Sequence, residues 1–348
     1  MHSSRKNSHT TFIIICVAFL LTLSACTKPG SQLVITSSPT PTVTPGPTLT
    51  PTPEPLGSAN HPLVIGAVIE ELPSSGDQPQ QQLVDSLESL TQFHFVFQQY
   101  DTWENLLNDL QIGLVHITWL PPLTYLHAHD LGIARVAMLT NHFGVYYYGV
   151  QFLANIESGF VAYYDPASNQ TTGNADVALA QFQDRRPCWI DTKSLAGYIY
   201  PAALLAENNV IVKEPAFVVS SPATIRALYI KEICDFAVTF AISGDPRTSP
   251  SILDDLPDAM DRVIVIWKSD GVIPNLNLSY ASLLDNDTVQ ALNNGFLDLI
   301  KADEGKALLT SILDYDIQDM RVVDDSIYDP LRNTLQFLDM DYSTIPGR

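Results

Sequence analysis

Three polar side chains, Thr192, Lys193 and Ser194, stand at the start of a segment that predicts a helix over residues 194–208. Hydroxyl groups, an ammonium group and the unpaired N–H groups of a first helical turn are donors that can hold a small oxyanion. A hydroxyl in this place also serves as an ordinary helix cap. The pattern therefore predicts a binding site at this helix start and leaves the capping role open.

Aromatic side chains are the second group with binding chemistry, because flat rings stack on planar ligands and contact apolar ones. The six candidates are Trp103, Trp119, Tyr125, Tyr147, Tyr198 and Phe240. Each of them taken alone is more simply a core residue, so its role depends on where the fold places it.

No motif supports catalysis, a metal or a cofactor. His127 and His129 are two residues apart, which places their imidazoles on different faces of a helix and makes a poor metal pair. The aspartates between residues 254 and 261 lack the Gly and the terminal Glu of a calcium loop. The chain also has no nucleophile elbow, phosphate loop or dinucleotide fingerprint. We therefore predict a binding protein that is not an enzyme, with no metal and no cofactor.

Strands that alternate with helices must position these residues. Bounded apolar runs predict strands at residues 63–69, 93–97, 114–118, 160–164, 188–190, 216–219, 236–240 and 263–267. Helical spacing predicts helices at residues 80–90, 103–110, from 122, 176–182, 194–208, 223–230, 287–300, 302–313 and 325–338. The alternation indicates an α/β fold of two lobes, each a mostly parallel sheet flanked by helices.

The predicted domain plan has residues 60–148 and 270–348 as lobe 1 and residues 149–269 as lobe 2. The chain crosses between them near residues 146–152 and returns near residues 266–274, which makes a hinge of two crossing segments. Ligands in such folds bind outside the carboxyl ends of the strands. We therefore expect a cleft between the lobes.

The first 59 residues predict export and attachment. Arg5 and Lys6 precede an apolar run over residues 12–23, which is shorter than the roughly 20 residues of a membrane span and has the layout of a signal peptide. It ends in Leu23-Ser24-Ala25-Cys26, which resembles the lipobox of bacterial lipoproteins, whose Cys receives a lipid. An ordinary signal peptide with an incidental Cys is the alternative. Residues 1–25 are therefore predicted to be a lipoprotein signal peptide, with Cys26 anchored to the membrane outside the cytoplasm.

Residues 26–59 are predicted to be a tether, because seven Pro residues between positions 39 and 55 favour an extended chain over a helix or a sheet. Two other cysteines, Cys188 and Cys234, follow the tether. In an oxidising exterior we favour a disulfide between them, with two buried thiols as the alternative.

Composition limits the possible partners. The chain has 38 acidic and 18 basic residues, a net charge of −20, which disfavours nucleic-acid binding. Its charged share of 16% is below the usual value of about 25%, so it can bury a sizeable core. We expect a monomer that binds a small molecule, is attached to a membrane and does not bind nucleic acid.

Four segments, in order, resemble the phosphonate/phosphite ABC-transporter substrate-binding proteins. Residues 113–125 are similar to the family's G-x-V-D-I-A-W-L-G-P-L-A-Y, and residues 191–201 to its D-P-x-S-T-S-G-Y-L-x-P. Residues 265–275 are similar to V-I-W-x-S-x-x-I-P-N, and residues 324–330 to D-S-x-Y-D-P. The resemblance, which runs from about Leu63 to Leu338, implies the type II periplasmic-binding fold and an ABC permease as partner.

The resemblance also implies that the site has changed. The family's Ser-Thr-Ser run falls on Ser194, Leu195 and Ala196, its His falls near Pro222, and its acidic residue falls near Phe240. Lys193 could compensate for the lost groups. We expect instead a less anionic or aromatic ligand in a cleft walled by the six aromatic candidates, with Trp103 where the family has a ligand-contacting Tyr. The alternative is a ligand-sensing or protein-interaction lipoprotein that no longer serves a transporter.

Overall fold

The computed structural model describes residues 54–69, 78–338 and 340, so the predicted signal peptide, Cys26 and most of the tether lie outside the described residues. The strands are β1 (Leu63–Val68), β2 (Phe95–Tyr100), β3 (Ile117–Leu120), β4 (Ala134–Asn141), β5 (Tyr147–Asn155), β6 (Tyr164–Asp165), β7 (Gln170–Thr171), β8 (Pro187–Trp189), β9 (Ala216–Phe217), β10 (Phe236–Ala241), β11 (Val263–Lys268), β12 (Ile273–Pro274), β13 (Asn277–Ala281) and β14 (Asp319–Val322). The α-helices are α1 (Gln78–Thr91), α2 (Trp103–Gln111), α3 (Pro122–Asp130), α4 (Ala175–Leu179), α5 (Tyr200–Glu207), α6 (Ser221–Ile230), α7 (Pro250–Leu253), α8 (Ala259–Arg262), α9 (Asn286–Leu299), α10 (Asp303–Leu313) and α11 (Asp329–Leu335). Within the described residues, no helix has both the length and the apolar character that a membrane span requires.

The strands form two six-stranded sheets and a small hairpin of β6 and β7. The first sheet has the order β14-β4-β13-β3-β1-β2, and β1 pairs in parallel with β2 and β3. The second sheet has the path β11-β5-β10-β8-β9, with β8 parallel to β9 and β10, and β12 pairs with the start of β5. The α/β class is therefore confirmed.

Most strands of each sheet run in the same direction, as expected, and each sheet also contains antiparallel strands. In the first sheet β13 runs antiparallel to β3 and β4, and in the second sheet β5 runs antiparallel to β10 and β11. The rule that alternating strands and helices pair in parallel applies to strands joined by a helical crossover. Strands β5 and β13 instead enter their sheets directly from the other sheet, without a helix in between.

Two short connections join the sheets. The first is a tight turn over residues 142–145, between β4 and β5, and the second runs from the end of β11 through β12 into β13. A third element also bridges the sheets, because α11 packs against α5. Helix α11 falls in the predicted lobe 1, but its fully buried Leu331 and Leu335 share a cluster with residues of the second sheet.

The buried apolar residues form three clusters. One lies under α1, α9 and α10 on the first sheet and includes Leu87 and Phe296. Another lies under α6, α7 and α8 on the second sheet and includes Leu228 and Ile252. The third is shared by both sheets and is continuous from α3 to α11. Helices therefore cover both faces of each sheet, which explains why central strands such as β3 and β13 are buried on both sides.

Some predicted elements are shorter than expected. Only Tyr164 of the predicted strand 160–164 lies in a strand, and that strand is the two-residue β6. The predicted helix 194–208 begins with a wider turn at Leu195–Ile199 before α5. The predicted helix 325–338 is a 3₁₀ turn at Asp325–Tyr328 followed by α11.

Cys188 in β8 is joined by a disulfide to Cys234, which lies just before β10. Their Cα atoms are 5.6 Å apart, and 46 positions of sequence separate them. Strands β8 and β10 are neighbours in the second sheet, so the bond links two strands that already pair. This is the pairing that the sequence favoured.

His116 gives the fold a pH dependence. It is 4% exposed, and its Nδ1 accepts a hydrogen bond from the N–H of Val64 at 2.9 Å, which requires the neutral ring. Burial, with a smaller contribution from the charge of His61, lowers the pKa of His116 to about 4. An unfolded His titrates near 6.5, so protons favour the unfolded chain between these two values.

We predict that the free energy of unfolding is unaffected by His116 above pH 6.5 and falls by about 3 kcal/mol as the pH drops from 6.5 to 4. Urea unfolding at pH 7, 5.5 and 4 measures this loss. The matched control is His116→Asn, whose Oδ1 can accept the same N–H but does not titrate. Equal losses in the two proteins over this range would contradict the assignment.

Candidate functional site

A cavity of about 600 Å³ lies between the two sheets, beside both crossing segments. The first sheet and its loops contribute Pro121, Pro122, His142, Phe143, Leu276 and Tyr315. The second sheet contributes Ser194, Leu195, Ala196, Phe240, Ser243, Gly244, Asp245, Pro246, Thr248 and Ser249. Tyr148, Pro274 and Asn275 belong to the crossing segments themselves. We refer to this cavity as the cleft.

The first-sheet wall of the cleft is aromatic. The imidazole of His142 stacks on the ring of Tyr315 with a centroid distance of 4.0 Å and an angle of 15°. His142 Nδ1 lies 2.8 Å from the carbonyl oxygen of Asp316, and a carbonyl can only accept, so Nδ1 carries the hydrogen. In the neutral ring Nε2 is therefore an acceptor. Burial raises the pKa of Tyr315 well above its ordinary value, so its phenol stays protonated.

Tyr148 faces the cleft from the start of β5, and its neighbour Tyr147 does not. Successive side chains of a strand point to opposite sides. The ring of Tyr147 instead lies 5.3 Å from the guanidinium of Arg321 on β14. Burial raises the pKa of the Tyr148 phenol, which therefore offers a neutral O–H group.

The second-sheet wall contains the helix start predicted from the sequence. Ser194 Oγ accepts a hydrogen bond from the N–H of Gly197 at 3.0 Å, and the Ser194 carbonyl accepts from the N–H groups of Tyr198 and Ile199. Among the described residues, the N–H groups of Leu195 and Ala196 have no backbone acceptor. Ser194 is thus both a helix cap and a cleft residue, and the two N–H groups are the remaining anion-binding feature.

An ion pair lies beside this wall. Asp245 accepts hydrogen bonds from Arg247 Nε at 3.1 Å and Nη2 at 2.6 Å, and from Gln151 Nε2 at 3.3 Å. Burial alone would raise the pKa of Asp245, but its hydrogen bonds with Arg247 and the charge of Arg247 hold it below the usual value. Asp245 is therefore ionised at neutral pH, and the sequence analysis did not identify it.

Of the predicted ligand-binding residues, Ser194 and Phe240 line the cleft, and the others lie elsewhere. Trp119 is 1% exposed and packs edge-on against Phe296 at 5.8 Å, so it is a core residue. Tyr125 is also buried, and its hydroxyl donates to Asp325 at 2.7 Å. Both side chains belong to elements that are covered on each face, so a large ring there packs inward.

Three more predicted residues lie outside the cleft for local reasons. Thr192 and Lys193 are exposed in a turn in which Asp191 Oδ1 accepts the N–H of Lys193 at 2.7 Å. Trp103 is half-buried at the first position of α2 and packs on the shared core. Lys193 therefore does not supply a cation to the cleft, contrary to the compensation considered from the sequence.

Tyr198 packs between two other aromatic side chains. Its ring centroid is 5.8 Å from those of both Trp189 and Phe217. It lies on the predicted helix, one position from Gly197, but its ring is directed to the neighbouring strands. The aromatic cleft residues are instead His142, Phe143, Tyr148, Phe240 and Tyr315.

Sequence signals existed for part of this set. Gly144 follows His142 and Phe143 and marks a turn, and φ values of 48° and 84° at Phe143 and Gly144 show that both lie in the left-handed region. Asp245 lies five residues after Phe240, where the resemblance implied the loss of an acidic residue. Tyr315 gave no comparable signal, because its place depends on the pairing of β14 with β4.

Residues 65–328 match the family of periplasmic substrate-binding proteins of phosphonate ABC transporters. No curated protein matches the chain. The protein XAC2383 of Xanthomonas citri, solved bound to chloride ion and bound to ATP, is 14% identical with a TM-score of 0.57, and the match covers 79% of this chain and 96% of that one. PhnD1 of Prochlorococcus marinus, solved in complex with methylphosphonate, is 13% identical with a TM-score of 0.50, and the match covers 79% of this chain and 97% of that one.

The division between core and cleft aromatics predicts stability losses of different size. Trp119→Ala should lower the free energy of unfolding by about 3–5 kcal/mol, because it removes a fully buried ring and leaves a cavity. The matched change Phe240→Ala should cost clearly less, because its ring borders the cleft. Urea unfolding of both variants and the parent chain measures the difference. A larger loss for Phe240→Ala would contradict the division.

Proposed function

The chain belongs to the family of periplasmic substrate-binding proteins of phosphonate ABC transporters, and on this premise we propose that it is the extracytoplasmic solute-binding component of an ABC importer. The observation that carries the proposal is the cleft, which both crossing segments border. A ligand that contacts both walls has a higher affinity for the closed arrangement and so favours it. The permease would then receive the ligand from the closed form.

We propose that the ligand differs from a bare phosphonate. No Lys or Arg is among the described residues that line the cleft. Leu195 and Ala196 stand where the family has hydroxyls, and Pro222 stands near the family's His. Charge-assisted hydrogen bonds contribute about 1–2 kcal/mol or more each, so the loss of three such groups weakens oxyanion binding by several orders of magnitude. The methylphosphonate bound by PhnD1 is therefore the kind of ligand that this cleft disfavours.

The aromatic wall supports a flatter and more apolar ligand. The wall has the rings of His142, Tyr148, Phe240 and Tyr315. The phenol and hydroxyl groups that line the cleft are neutral, so most of its polar groups carry no charge. Flat rings stack on such walls in offset or edge-on arrangements. We propose an aromatic or heterocyclic small molecule as the ligand class.

We also propose that the protein is a membrane-tethered monomer. A lipid on Cys26 and the Pro-rich residues 26–59 would hold the binding domain near the membrane, where a permease receives ligand. Both features rest on the sequence pattern described above. The lobe boundaries at residues 148–149 and 269–270 are likewise part of this proposal.

A thermal-shift screen of the full chain tests the function. The screen uses phosphonates, phosphite, phosphate, sulfonates and aromatic heterocycles, each at increasing concentration. A ligand at a hundred times its Kd should stabilise the protein by about 2.7 kcal/mol. We expect this response from aromatic heterocycles, and we expect Phe240→Ala to reduce it.

Trp119→Phe serves as the control, because its ring lies in the core and should change stability without changing the ligand response. A strong response to simple phosphonates would contradict the altered ligand class and leave the solute-binding function intact. Unchanged melting with every class would favour a protein-interaction lipoprotein that no longer serves a transporter.

A further inference from the structure

We infer that the cleft takes a planar organic cation, namely an aromatic or heteroaromatic ring that bears an amine or amidinium group, held between Asp245 and the rings of His142, Phe240 and Tyr315. This inference rests on the proposed function and narrows its ligand class by charge.

The charges of the cleft are one-sided. Asp245 is the one carboxylate among the described lining residues, and neither Lys nor Arg lines it. Tyr148 and Tyr315 stay protonated because burial raises the pKa of both. His142 is the other titratable group, and in its neutral form it presents an acceptor at Nε2. A ligand therefore meets one carboxylate, which is paired with Arg247 on its other side, and several acceptors.

Asp245 is the member of the ion pair that lines the cleft. The side chain of Asp245 is 22% exposed, whereas that of Arg247 is 8% exposed. Arg247 Nη1 donates to the carbonyl of Val263 at 2.9 Å, and its Nε and Nη2 donate to Asp245. The guanidinium is thus used within the protein and is not among the lining residues. Its hydrogen bonds hold the carboxylate in place and ionised, which is what a cationic ligand requires.

The rings favour the same charge. The face of an aromatic ring carries partial negative charge and attracts a cation within about 6 Å. The ring of His142 lies 4.0 Å from that of Tyr315 and 4.2 Å from that of Phe143, so the three rings form one aromatic wall that a flat ligand can contact. Phe240 and Tyr148 add ring surface on the other side and at the crossing. A planar cation satisfies the rings and the carboxylate together, whereas a planar anion satisfies only the rings.

The net charge of the chain acts in the same direction at longer range. With 38 acidic and 18 basic residues, the protein has a net charge of −20. Such a field raises the local concentration of cations and lowers that of anions. The N–H groups of Leu195 and Ala196 supply a partial positive charge of about one half at most. They can donate hydrogen bonds to a polar group of the ligand but do not reverse the sign of the site.

Three probes of one shape and different charge test the inference. Isothermal titration of the full chain at low salt and neutral pH uses benzamidinium, benzamide and phenylphosphonate. We expect benzamidinium to bind at least tenfold more tightly than benzamide. We expect phenylphosphonate to bind with the lowest affinity of the three. Raising the salt concentration should lower the affinity for benzamidinium and leave the affinity for benzamide unchanged, because salt screens only the interactions of the charged ligand.

Variants assign the effect to Asp245. Asp245→Asn should lower the affinity for benzamidinium at least tenfold and change the affinity for benzamide less than twofold. Because Asp245→Asn leaves Arg247 buried without its carboxylate, the double variant Asp245→Asn with Arg247→Gln provides a second protein with no unpaired charge, and the same loss is expected. The matched control is Asp254→Asn, which removes an exposed acid of the same charge outside the cleft.

The outcomes separate this inference from the proposed function. Equal binding of benzamidinium and benzamide, or no effect of either Asp245 variant, would overturn the cationic ligand and leave an aromatic ligand in place. Tighter binding of phenylphosphonate would overturn both the cation and the altered ligand class. No binding of any probe at millimolar concentration would overturn the inference, while the wider thermal-shift screen would still decide the solute-binding function.

Discussion

The cleft depends on the two connections between the sheets, which are short and held by hydrogen bonds. The turn over residues 142–145 is closed by two hydrogen bonds between His142 and Val145, at 2.8 and 3.1 Å. The return segment is fastened to it, because Asn275 Nδ2 donates to the carbonyl of Val145 at 2.7 Å and Ser269 Oγ accepts from Val150 N–H at 2.9 Å. The two crossings therefore fix the positions of the cleft walls. Phe143, which lies in the first crossing, has a left-handed backbone.

Patterns of apolar residues predicted the alternation of strands and helices, but they missed strands β4, β5, β7, β12, β13 and β14, and in β13 the reason is its buried polar residues. Strand β13 was not predicted, although it is central to the first sheet and entirely buried. Asn277 and Ser279 interrupt its apolar pattern, yet Asn277 Nδ2 donates to the carbonyl of Leu120 and to the hydroxyl of Tyr328, each at 2.7 Å. Buried polar groups are tolerated when they are paired, and that pairing depends on residues far away in the sequence. The pattern alone therefore cannot identify such a strand.

The candidate site was predicted less well than the fold. The sequence does not show which side of a strand a residue faces, and the site depends on contacts between residues far apart in the chain. Tyr147 and Tyr148 are equally plausible in sequence, and only the pairing of β5 with β12 determines which of them faces the cleft. Trp119 lies on a strand that is covered on both sides, so its ring could not reach the cleft from either face. The helix start at Ser194 was predicted correctly as a local feature, because a cap needs only a few neighbouring residues.

The ion pair of the half-buried Asp245 and the buried Arg247 is difficult to explain as a source of stability. Removing two charges from water costs free energy that their attraction only partly returns, and apolar replacements of similar size often stabilise a protein equally well. The pair also needs Gln151, a fully buried polar residue of β5, whose Oε1 has no partner among the described residues. A chain under selection for stability alone would have little reason to keep three polar groups there. Asp245 alone of the three lines the cleft, and its side chain is more exposed than that of Arg247, which fits a carboxylate that contacts a ligand.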